Sequence, residues 1–389
     1  MTASVQACAA CLRRTALIAA LAGHVEVAWR RGRRPGALLA LPRGELVAAV
    51  VPDQESRAQL LEANARLAPA ALAAAIRAAG LEAVCRCAGP PYPQALLDTP
   101  DAPAVVHVLG GLGRLHRLAS DPGRCAAIVG ARRASPYGLD VARALGAGLG
   151  AAGATVVSGM AIGIDTAAHA GAVAATGATV AVLAGGADVA YPASRRGLHR
   201  QIGASGCVIS ELPPGFRAFR WSFPARNRLI AALASATVVV EAAAASGALI
   251  TADLAMDLGR EVGAVPGRIT APQAAGTNAL LHGGAHVVRG PEDVLSLLSL
   301  PAGPAGRDAP AGDALPPGAG LRPGLQAVLA RVAGGASTLG EAAGSGDLAA
   351  AMSALAELEL LGLVQRSAGG RYRVPSPAPV AARRGGERG

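Results

Sequence analysis

Between residues 125 and 267 the chain repeats one pattern: a short apolar run, a glycine-rich turn, and a longer run with apolar residues at helical spacing. The apolar runs, each predicted to be a strand, cover residues 125–129, 155–157, 179–183, 207–210, 237–241 and 261–265. Near-continuous apolar strands that alternate with helices predict a mostly parallel, Rossmann-like α/β sheet with helices on both faces. Such sheets bind ligands at the carboxyl ends of their strands, so the turns that follow the strands are candidate binding sites.

The pattern changes along the chain and predicts five segments. Residues 1–120 form a helical N-terminal region with a proline-rich connector, and residues 121–299 form the Rossmann-like domain. Residues 300–320 are rich in Pro, Gly and Ala and predict a linker. Residues 321–374 carry three helical patterns followed by two short strands, the order of a winged-helix module, and residues 375–389 predict a disordered basic tail.

The third helix of the predicted winged-helix module is unusual for a DNA-reading helix. It carries Asp347, Glu357 and Glu359 and has no basic residue. Because phosphates would be repelled, this composition favours a protein-contact or spacer role. The alternative is a DNA contact by the strands of the wing, through Arg366, Arg371 and Arg373.

The amino-acid composition gives the chain an excess of positive charge. The chain of 389 residues has a formal net charge of +10, which favours a polyanionic partner. It contains no lysine, which a compositional bias toward Ala, Gly and Arg explains equally well. Aromatic residues make up only 2% of the chain, so each aromatic cluster stands out.

The sequence gives no sign of a membrane span. No apolar run reaches the roughly 18 residues that a spanning helix needs. Residues 15–23 follow Arg13-Arg14 and imitate the start of a secretory signal, but Glu26 comes soon after and no clear cleavage site follows. We therefore expect an amphipathic helix there and a cytoplasmic protein.

Four of the six cysteines form two local pairs, Cys8-x-x-Cys11 and Cys85-x-Cys87. They could hold zinc if residues 1–90 fold back on themselves, because a structural zinc ion needs four soft ligands in a tetrahedron. The C-x-C spacing is unusual for such sites, and four free thiols are the alternative. We therefore expect neither a metal nor another cofactor, and keep the four cysteines as zinc candidates.

The turn after the first central strand, Gly130-Ala-Arg132, precedes a helix that Ser135 and Pro136 are placed to begin. A strand, a glycine turn and a helix N-terminus together suit an anion. The turn is not G-x-G-x-x-G, and no acidic residue ends the second strand, so an ordinary NAD site is not expected. Without lysine there is no Walker P-loop either. Asp165 and His169 lie one helical turn apart, and we interpret them as a helix cap and a packed histidine rather than as a metal pair.

The densest candidate cluster lies at residues 216–228. All three phenylalanines and one of the two tryptophans are interleaved there with four arginines. Aromatic rings can stack unpaired bases while guanidinium groups contact phosphates, so this composition favours single-stranded nucleic acid. Buried anchoring of a loop is the alternative for any one ring. Hydroxyl and amide side chains at two later helix starts are compatible with an anion as well, and plain capping is their alternative.

Together these motifs resemble a known family, the DNA processing protein A (DprA/Smf) family, over roughly residues 90–300. The motifs are VGAR at 129–132, YG at 137–138, SGMAIGIDTAAH at 158–169, YP at 191–192, FPARNR at 223–228, SGALIT at 246–251 and GTN at 276–278. The resemblance implies a Rossmann-like protein that binds single-stranded DNA, protects incoming strands and loads the RecA recombinase during natural transformation. It also implies a homodimer, and a basic groove that includes Arg132, Arg195 or Arg196, Arg226 and Arg228.

The predicted DNA-binding residues follow from the residue patterns and from the family resemblance together. They are Gly130, Arg132, Ser158, Gly159, Gly185, Arg195, Arg196, Arg220, Phe223, Arg226, Asn227, Arg228, Ser246, Gly247, Thr251, Thr277 and Asn278. No catalytic residue is predicted, and we expect a binding protein rather than an enzyme.

Two alternatives stay open at this point. Residues 246–251 are similar to a loop of phosphoribohydrolases that cleave nucleoside monophosphates, although Asp253 stands near the place where those enzymes carry a glutamate. The winged-helix module would also suit a transcription regulator that binds duplex DNA.

Overall fold

The computed structural model describes residues 4–300, 321–361, 363–367 and 371–374. The chain divides into two compact units, Met1–Gly303 and Pro304–Gly389, and each is described by itself. The predicted linker at 300–320 and the predicted tail at 375–389 lie outside the described residues, apart from Leu300.

The first unit is built on a ten-stranded sheet with the strand order β1-β2-β3-β7-β6-β5-β4-β8-β9-β10. The strands are β1 (Val5–Gln6), β2 (Glu82–Cys85), β3 (Val105–Leu109), β4 (Cys125–Val129), β5 (Thr155–Ser158), β6 (Thr179–Val182), β7 (Cys207–Ser210), β8 (Ala236–Val239), β9 (Glu261–Ala264) and β10 (His286–Val287). Strands β4 to β10 are parallel to one another, and β3 is antiparallel to both β2 and β7. The predicted Rossmann-like sheet and its six strands are confirmed.

Helices cover both faces of this sheet. They are α1 (Ala9–Ala20), α2 (Ala22–Arg30), α3 (Pro35–Ala40), α4 (Arg43–Val50), α5 (Gln54–Arg66), α6 (Pro69–Ala78), α7 (Gln94–Leu97), α8 (Leu112–Ala119), α9 (Pro136–Ala151), α10 (Ile164–Ala175), α11 (Arg196–Ser205), α12 (Ser222–Leu233), α13 (Gly247–Asp257), α14 (Ala275–His282) and α15 (Pro291–Leu297). One core holds β-strand side chains against α8, α12 and α13, and a second holds the opposite face against α9, α10 and α15. Alternate residues of each strand enter opposite cores, which is why the strands are apolar throughout.

The N-terminal region contains strands as well as the predicted helices. It includes α1 to α7 and also supplies β1, β2 and β3 to the sheet. Strand β3 pairs with β7, and β2 pairs with β3, so the region extends the same sheet. Residues 1–120 and 121–299 therefore belong to one compact unit.

The connectivity places a topological switch point beside β4. The chain moves outward from β4 through β5 and β6 to β7, and then returns to add β8 on the other side of β4. The loops after β4 and β8 thus leave the sheet side by side, and the Ala131 amide donates to the Glu241 carbonyl over 2.7 Å. Ligands of open α/β sheets bind at such a point.

The second unit contains three helices and a two-stranded antiparallel sheet. They are α16 (Pro323–Ala333), α17 (Leu339–Ala343), α18 (Leu348–Leu360), β11 (Gln365–Ser367) and β12 (Arg371–Arg373). Thr338 and Glu341 form a reciprocal capping box at α17. Leu325, Leu329 and Leu355 are buried in a small core of their own. The element order is the predicted one, and the winged-helix assignment stays a prediction.

Throughout the described ranges, no helix is both long enough and apolar enough to cross a membrane.

Close packing of α9 on α10 depends on glycines and generates a stability prediction. A Cβ at Gly146 would lie 2.1 Å from the Ala168 carbonyl oxygen, whereas a Cβ at Gly197 in α11 would meet nothing within 4 Å. Ala normally stabilises a helix relative to Gly. We expect Gly197→Ala to be neutral or stabilising by up to about 1 kcal/mol, and Gly146→Ala to destabilise by about 1–3 kcal/mol because the two helices must move apart.

Urea unfolding of both variants, followed by circular dichroism, measures the two free energies of unfolding. A stabilising Gly146→Ala would contradict the close helix contact.

Candidate nucleic-acid interface

The carboxyl edge of the sheet carries a stack of three side chains from different segments, of which two are exposed and one, Phe223, is half-buried. The Arg132 guanidinium, in the loop after β4, lies 5.0 Å from the ring centroid of Phe223 in the first turn of α12. The ring of Tyr191, in the loop after β6, lies 5.4 Å from the Phe223 ring at an angle of 56°. Tyr191 is 48% exposed, and Arg132 is exposed as well. We call Arg132, Tyr191 and Phe223 the aromatic stack.

Further predicted arginines on these loops are exposed and available. Arg195 and Arg196 follow Tyr191 closely in the chain, and Arg220 precedes α12. Within the described residues, no ion pair or hydrogen bond engages the side chains of these three arginines or of Arg132. Free guanidinium groups of this kind contact phosphates by charge-assisted hydrogen bonds.

The carboxylates at the same edge are occupied by internal partners. Glu241 accepts hydrogen bonds from the Ser135 amide at 2.8 Å and the Ser135 hydroxyl at 2.5 Å. Asp188 accepts from the Gly215 amide at 2.9 and 3.0 Å, which holds the loop after β7. These carboxylates thus accept hydrogen bonds from groups within the fold, whereas the unpaired guanidinium groups point to solvent. This edge of the sheet therefore presents positive charge.

Arg228, a predicted phosphate ligand, is buried in an ion-pair network. Its guanidinium donates two hydrogen bonds of 2.7 Å to the Glu211 carboxylate and lies 2.8 Å from the Asp101 carboxylate. Burial alone would lower the pKa of Arg228, but the two carboxylates outweigh it and raise the pKa above its ordinary value. The prediction for Arg228 is corrected: this side chain holds segments of the fold together and is not on the surface open to a phosphate.

Arg226, also predicted to face DNA, is buried beneath the loop after β5. One guanidinium nitrogen donates to the Val182 carbonyl at 3.0 Å, and the Nε atom has no hydrogen-bond partner among the described residues. A Cβ on Gly159 would come within 1.3 Å of this guanidinium, so only glycine fits above it. Burial lowers the pKa of Arg226 to about 10, and nearby Asp165 opposes that shift. Arg226 therefore contributes a fixed positive charge under the loop rather than an exposed contact.

Asp165 and His169 take the structural roles that the sequence suggested, with one difference. The Asp165 carboxylate accepts from the amides of Gly159 and Ala161 at 3.2 and 3.3 Å, so it ties down the loop before α10, whose N-cap is Gly163. His169 is fully buried, with Nδ1 2.7 Å from the Thr179 hydroxyl, and burial lowers its pKa to about 3.

Three predicted residues shape the loops by their small size or internal bonds. A Cβ at Gly130 would lie 2.6 Å from an Ile164 side-chain carbon, and one at Gly185 would lie 2.9 Å from the Phe216 carbonyl oxygen. The buried Ser158 hydroxyl donates to the Ile128 carbonyl at 2.5 Å. These residues allow the loops to pack closely and offer no side-chain donor to a ligand.

The predicted residues of the last two helix starts are mostly engaged within the fold. Thr251 and Thr277 are buried, and the Thr277 hydroxyl donates to the Ala274 carbonyl. The Asn278 amide bonds to both the amide and the carbonyl of Gly267, so it fixes the loop after β9. These three positions are corrected to structural ones.

The remaining predicted residues at the start of α13 lie nearer the surface. Ser246 is half-buried and caps α13 by accepting from the Ala248 amide at 3.3 Å. Gly247 is exposed, and the half-buried Asn227 donates to its carbonyl at 3.4 Å. These three residues stay candidates.

The aromatic cluster at 216–228 separates into two groups. Trp221 is fully buried, and Phe216 and Phe219 pack against the N-terminal helices. Only Phe223 of this cluster joins the aromatic stack, and its partner there is Tyr191. Tyr191 is not among the predicted DNA-binding residues, although the Tyr191-Pro192 motif and the scarcity of aromatic residues are signals that indicate it.

Comparisons with known proteins agree in assigning the chain to one group. The family model described as DNA recombination-mediator protein A matches residues 84–299. A putative DNA processing protein DprA of Mycobacterium tuberculosis is 44% identical over 276 residues, which cover 70% of this chain and 69% of that protein.

Two solved structures resemble the fold. The DNA processing protein A of Streptococcus pneumoniae superposes with a TM-score of 0.58 and 31% identity, covering 74% of this chain and 95% of that one. The DNA processing protein A of Helicobacter pylori, solved for its single-stranded DNA binding mode, gives a TM-score of 0.50 and 27% identity. It covers 56% of this chain and 95% of that one.

The buried network around Arg228 generates a prediction. We expect Arg228→Ala to lower the free energy of unfolding by about 3–5 kcal/mol, because it leaves the buried Glu211 carboxylate without its counter-charge. The matched control is Arg143→Ala, which removes one partner of Asp140 from a solvent-accessible pair at 2.9 Å and should cost at most about 1 kcal/mol.

Urea titrations of the two variants and the parent chain measure the difference. Equal, small losses would mean that the Arg228 network contributes little to stability.

Proposed function

The chain belongs to the DNA recombination-mediator protein A family, the group of the DNA processing proteins A, and we propose that it binds single-stranded DNA at the carboxyl edge of its sheet. The observation that carries this proposal is the aromatic stack of Arg132, Tyr191 and Phe223. Exposed rings beside free guanidinium groups are the combination that holds unpaired nucleotides without reading their sequence.

Each member of the stack has a distinct part in the proposed contact. The exposed ring of Tyr191 offers a face to a base, and the tilted Phe223 ring packs against it at 5.4 Å. Arg132 lies over the Phe223 ring, which fixes the guanidinium plane while its N–H edge stays available to a phosphate. Arg195, Arg196 and Arg220 would follow the backbone on either side. Bases of a duplex are already stacked on each other, so this arrangement favours a single strand.

The family supports a wider role for this interface. The Helicobacter pylori relative was solved for its binding of single-stranded DNA, and this chain resembles it at 27% identity. We extend the proposal to DNA processing in transformation and recombination, with protection of incoming strands and delivery of the bound strand to the RecA recombinase. A homodimer in the cytoplasm is part of the same proposal.

The proposal is for a binding protein and not for an enzyme. A phosphoribohydrolase needs a free carboxylate at the sugar, whereas Glu241 is taken up by Ser135 and by the start of α9. Asp253 is exposed on α13, beyond the loop that resembles those enzymes. For the second unit we propose a protein-contact or spacer role, because α18 carries no basic residue and its Glu357 pairs with Arg322 at 2.6 Å.

Removal of the exposed ring should weaken the binding of single strands. We expect Tyr191→Ala to reduce the affinity for a labelled oligothymidine by roughly 5- to 150-fold, which corresponds to about 1–3 kcal/mol for one stacked base. Tyr191→Phe keeps the ring and should retain most of the affinity. Fluorescence anisotropy at fixed salt measures all three proteins, and equal affinities for Tyr191→Ala and the parent chain would contradict the stacking role.

Removal of two exposed arginines should reduce the salt dependence of binding. We expect the double variant Arg195→Ala/Arg196→Ala to lower the slope of log affinity against log salt by about 1.4, since each phosphate contact to a single strand contributes about 0.7. The matched control Arg66→Ala/Arg289→Ala removes the same charge from two exposed arginines, each paired with an acidic residue four positions away in the chain, and should leave the slope unchanged.

Anisotropy titrations across a salt series give the two slopes. If the control lowers the slope as much as the edge variant does, the positive charge acts generically and the proposed edge is wrong.

A further inference from the structure

The four cysteines of the two local pairs converge on one point, although they are far apart in the sequence. The Sγ atoms of Cys8, Cys11, Cys85 and Cys87 all lie within 4.8 Å of one another. Those of Cys11 and Cys87 are 3.7 Å apart. The proposed DNA-binding function uses none of these side chains, so the cluster needs its own explanation.

The four cysteines converge because the strands that carry or precede them are paired at the outer edge of the sheet. Strand β1 pairs in parallel with β2, with Val5 opposite Ala83. Just past β1, Cys8 is the N-cap of α1 and Cys11 lies in its first turn. At the other side, Cys85 ends β2, and the Ala88 amide donates to the Cys85 carbonyl in a turn that carries Cys87. Two cysteine-bearing turns therefore face each other.

The distances fit a tetrahedral zinc ion with four thiolate ligands. A zinc–sulfur distance of about 2.3 Å implies sulfur atoms about 3.8 Å apart in a regular tetrahedron. The Cys11–Cys87 distance already has this value, and the longest separations need to shorten by about 1 Å. The Cys8 amide also donates to the Cys85 sulfur at 3.4 Å, a contact that stabilises a thiolate.

A disulfide fits the cluster less well. A disulfide requires two sulfur atoms about 2.05 Å apart and would leave the other two thiols unused. Soft thiolate ligands in a set of four are instead the typical ligands of structural zinc.

We propose that Cys8, Cys11, Cys85 and Cys87 bind a structural zinc ion that joins the start of α1 to the end of β2. Four protein ligands leave no open position for substrate or water, so the ion has a structural and not a catalytic role. It closes the long segment between Cys11 and Cys85, which contains helices α2 to α6. Closing a long segment restricts the unfolded chain, so the ion stabilises the attachment of these helices to the sheet.

The site uses none of the side chains of the proposed DNA contacts. Strands β3 and β7 lie between β2 and β6, so the strand that ends at Cys85 and the strand that precedes the Tyr191 loop are roughly 14 Å apart, at about 4.8 Å per strand. Metal content and DNA affinity are therefore separate readouts, and failure of one proposal does not decide the other.

The first test measures the metal in the full chain, purified without a metal-binding tag from zinc-supplemented medium. Elemental analysis should find about one zinc per chain. The double variant Cys8→Ser/Cys87→Ser changes the two exposed ligands and should lose the ion. The matched control Cys125→Ser changes a thiol whose contacts are the carbonyls of Leu118 and Asp121, and it should keep the ion.

A second test does not depend on how the variants fold. Cobalt(II) added to the metal-free parent chain should give the absorption bands of a tetrahedral thiolate site, and zinc should abolish them by displacement. A chain that is purified without zinc and gives no such cobalt spectrum would overturn the proposal. A Cys11–Cys87 disulfide found by mass spectrometry in freshly purified protein would overturn it as well.

Discussion

Helix α12 carries two guanidinium groups into the interior, and the arrangement of the carboxyl edge depends on how each charge is compensated. Arg228 has two carboxylate partners, Glu211 after β7 and Asp101 before β3. A Cβ on Gly36 of α3 would come within 2.7 Å of the same Asp101 carboxylate. One buried cation thus holds together the end of β7, the connector before β3 and an N-terminal helix, which explains why its removal should be costly.

The positive charge of the Arg226 guanidinium is compensated less completely than that of Arg228, and this difference bears on the proposed function. Its pKa falls to about 10 because burial outweighs the attraction of Asp165, and its Nε atom has no partner among the described residues. A buried cation with a spare donor is unfavourable in isolation and becomes more favourable when an anion approaches. Gly159 permits this cation to lie directly beneath the loop after β5. The interior therefore places a positive charge under loops whose exposed arginines are the proposed direct contacts to DNA.

The sequence predicted the sheet well because its central strands are buried on both faces and therefore read as continuous apolar runs. It predicted the arginines less well. Arg217, Arg220, Arg226 and Arg228 look alike in a cluster of alternating arginines and rings, yet the first two are exposed and the last two are buried. Almost all of α12 is enclosed by the sheet and its neighbours, so helical spacing does not separate an outer from an inner face. Partners distant in sequence, such as Glu211 and Asp101, decide which guanidinium is buried.

In the N-terminal region, too, contacts between segments distant in the sequence could not be predicted. The same region supports the proposed interface. Strands β1, β2 and β3 escaped prediction because they are short or pair with distant segments, and the convergence of the cysteines depends on the register of β1 with β2. This region also anchors the loop before α12: the Trp221 indole donates to the Ala22 carbonyl at 3.0 Å, and the Trp221 amide donates to Glu26 at 3.2 Å. Phe223 follows two residues later, so the position of its ring in the aromatic stack is fixed by helix α2. The N-terminal helices are therefore a structural support of the proposed DNA-binding edge, because a displaced Trp221 would move the ring on which Arg132 and Tyr191 pack.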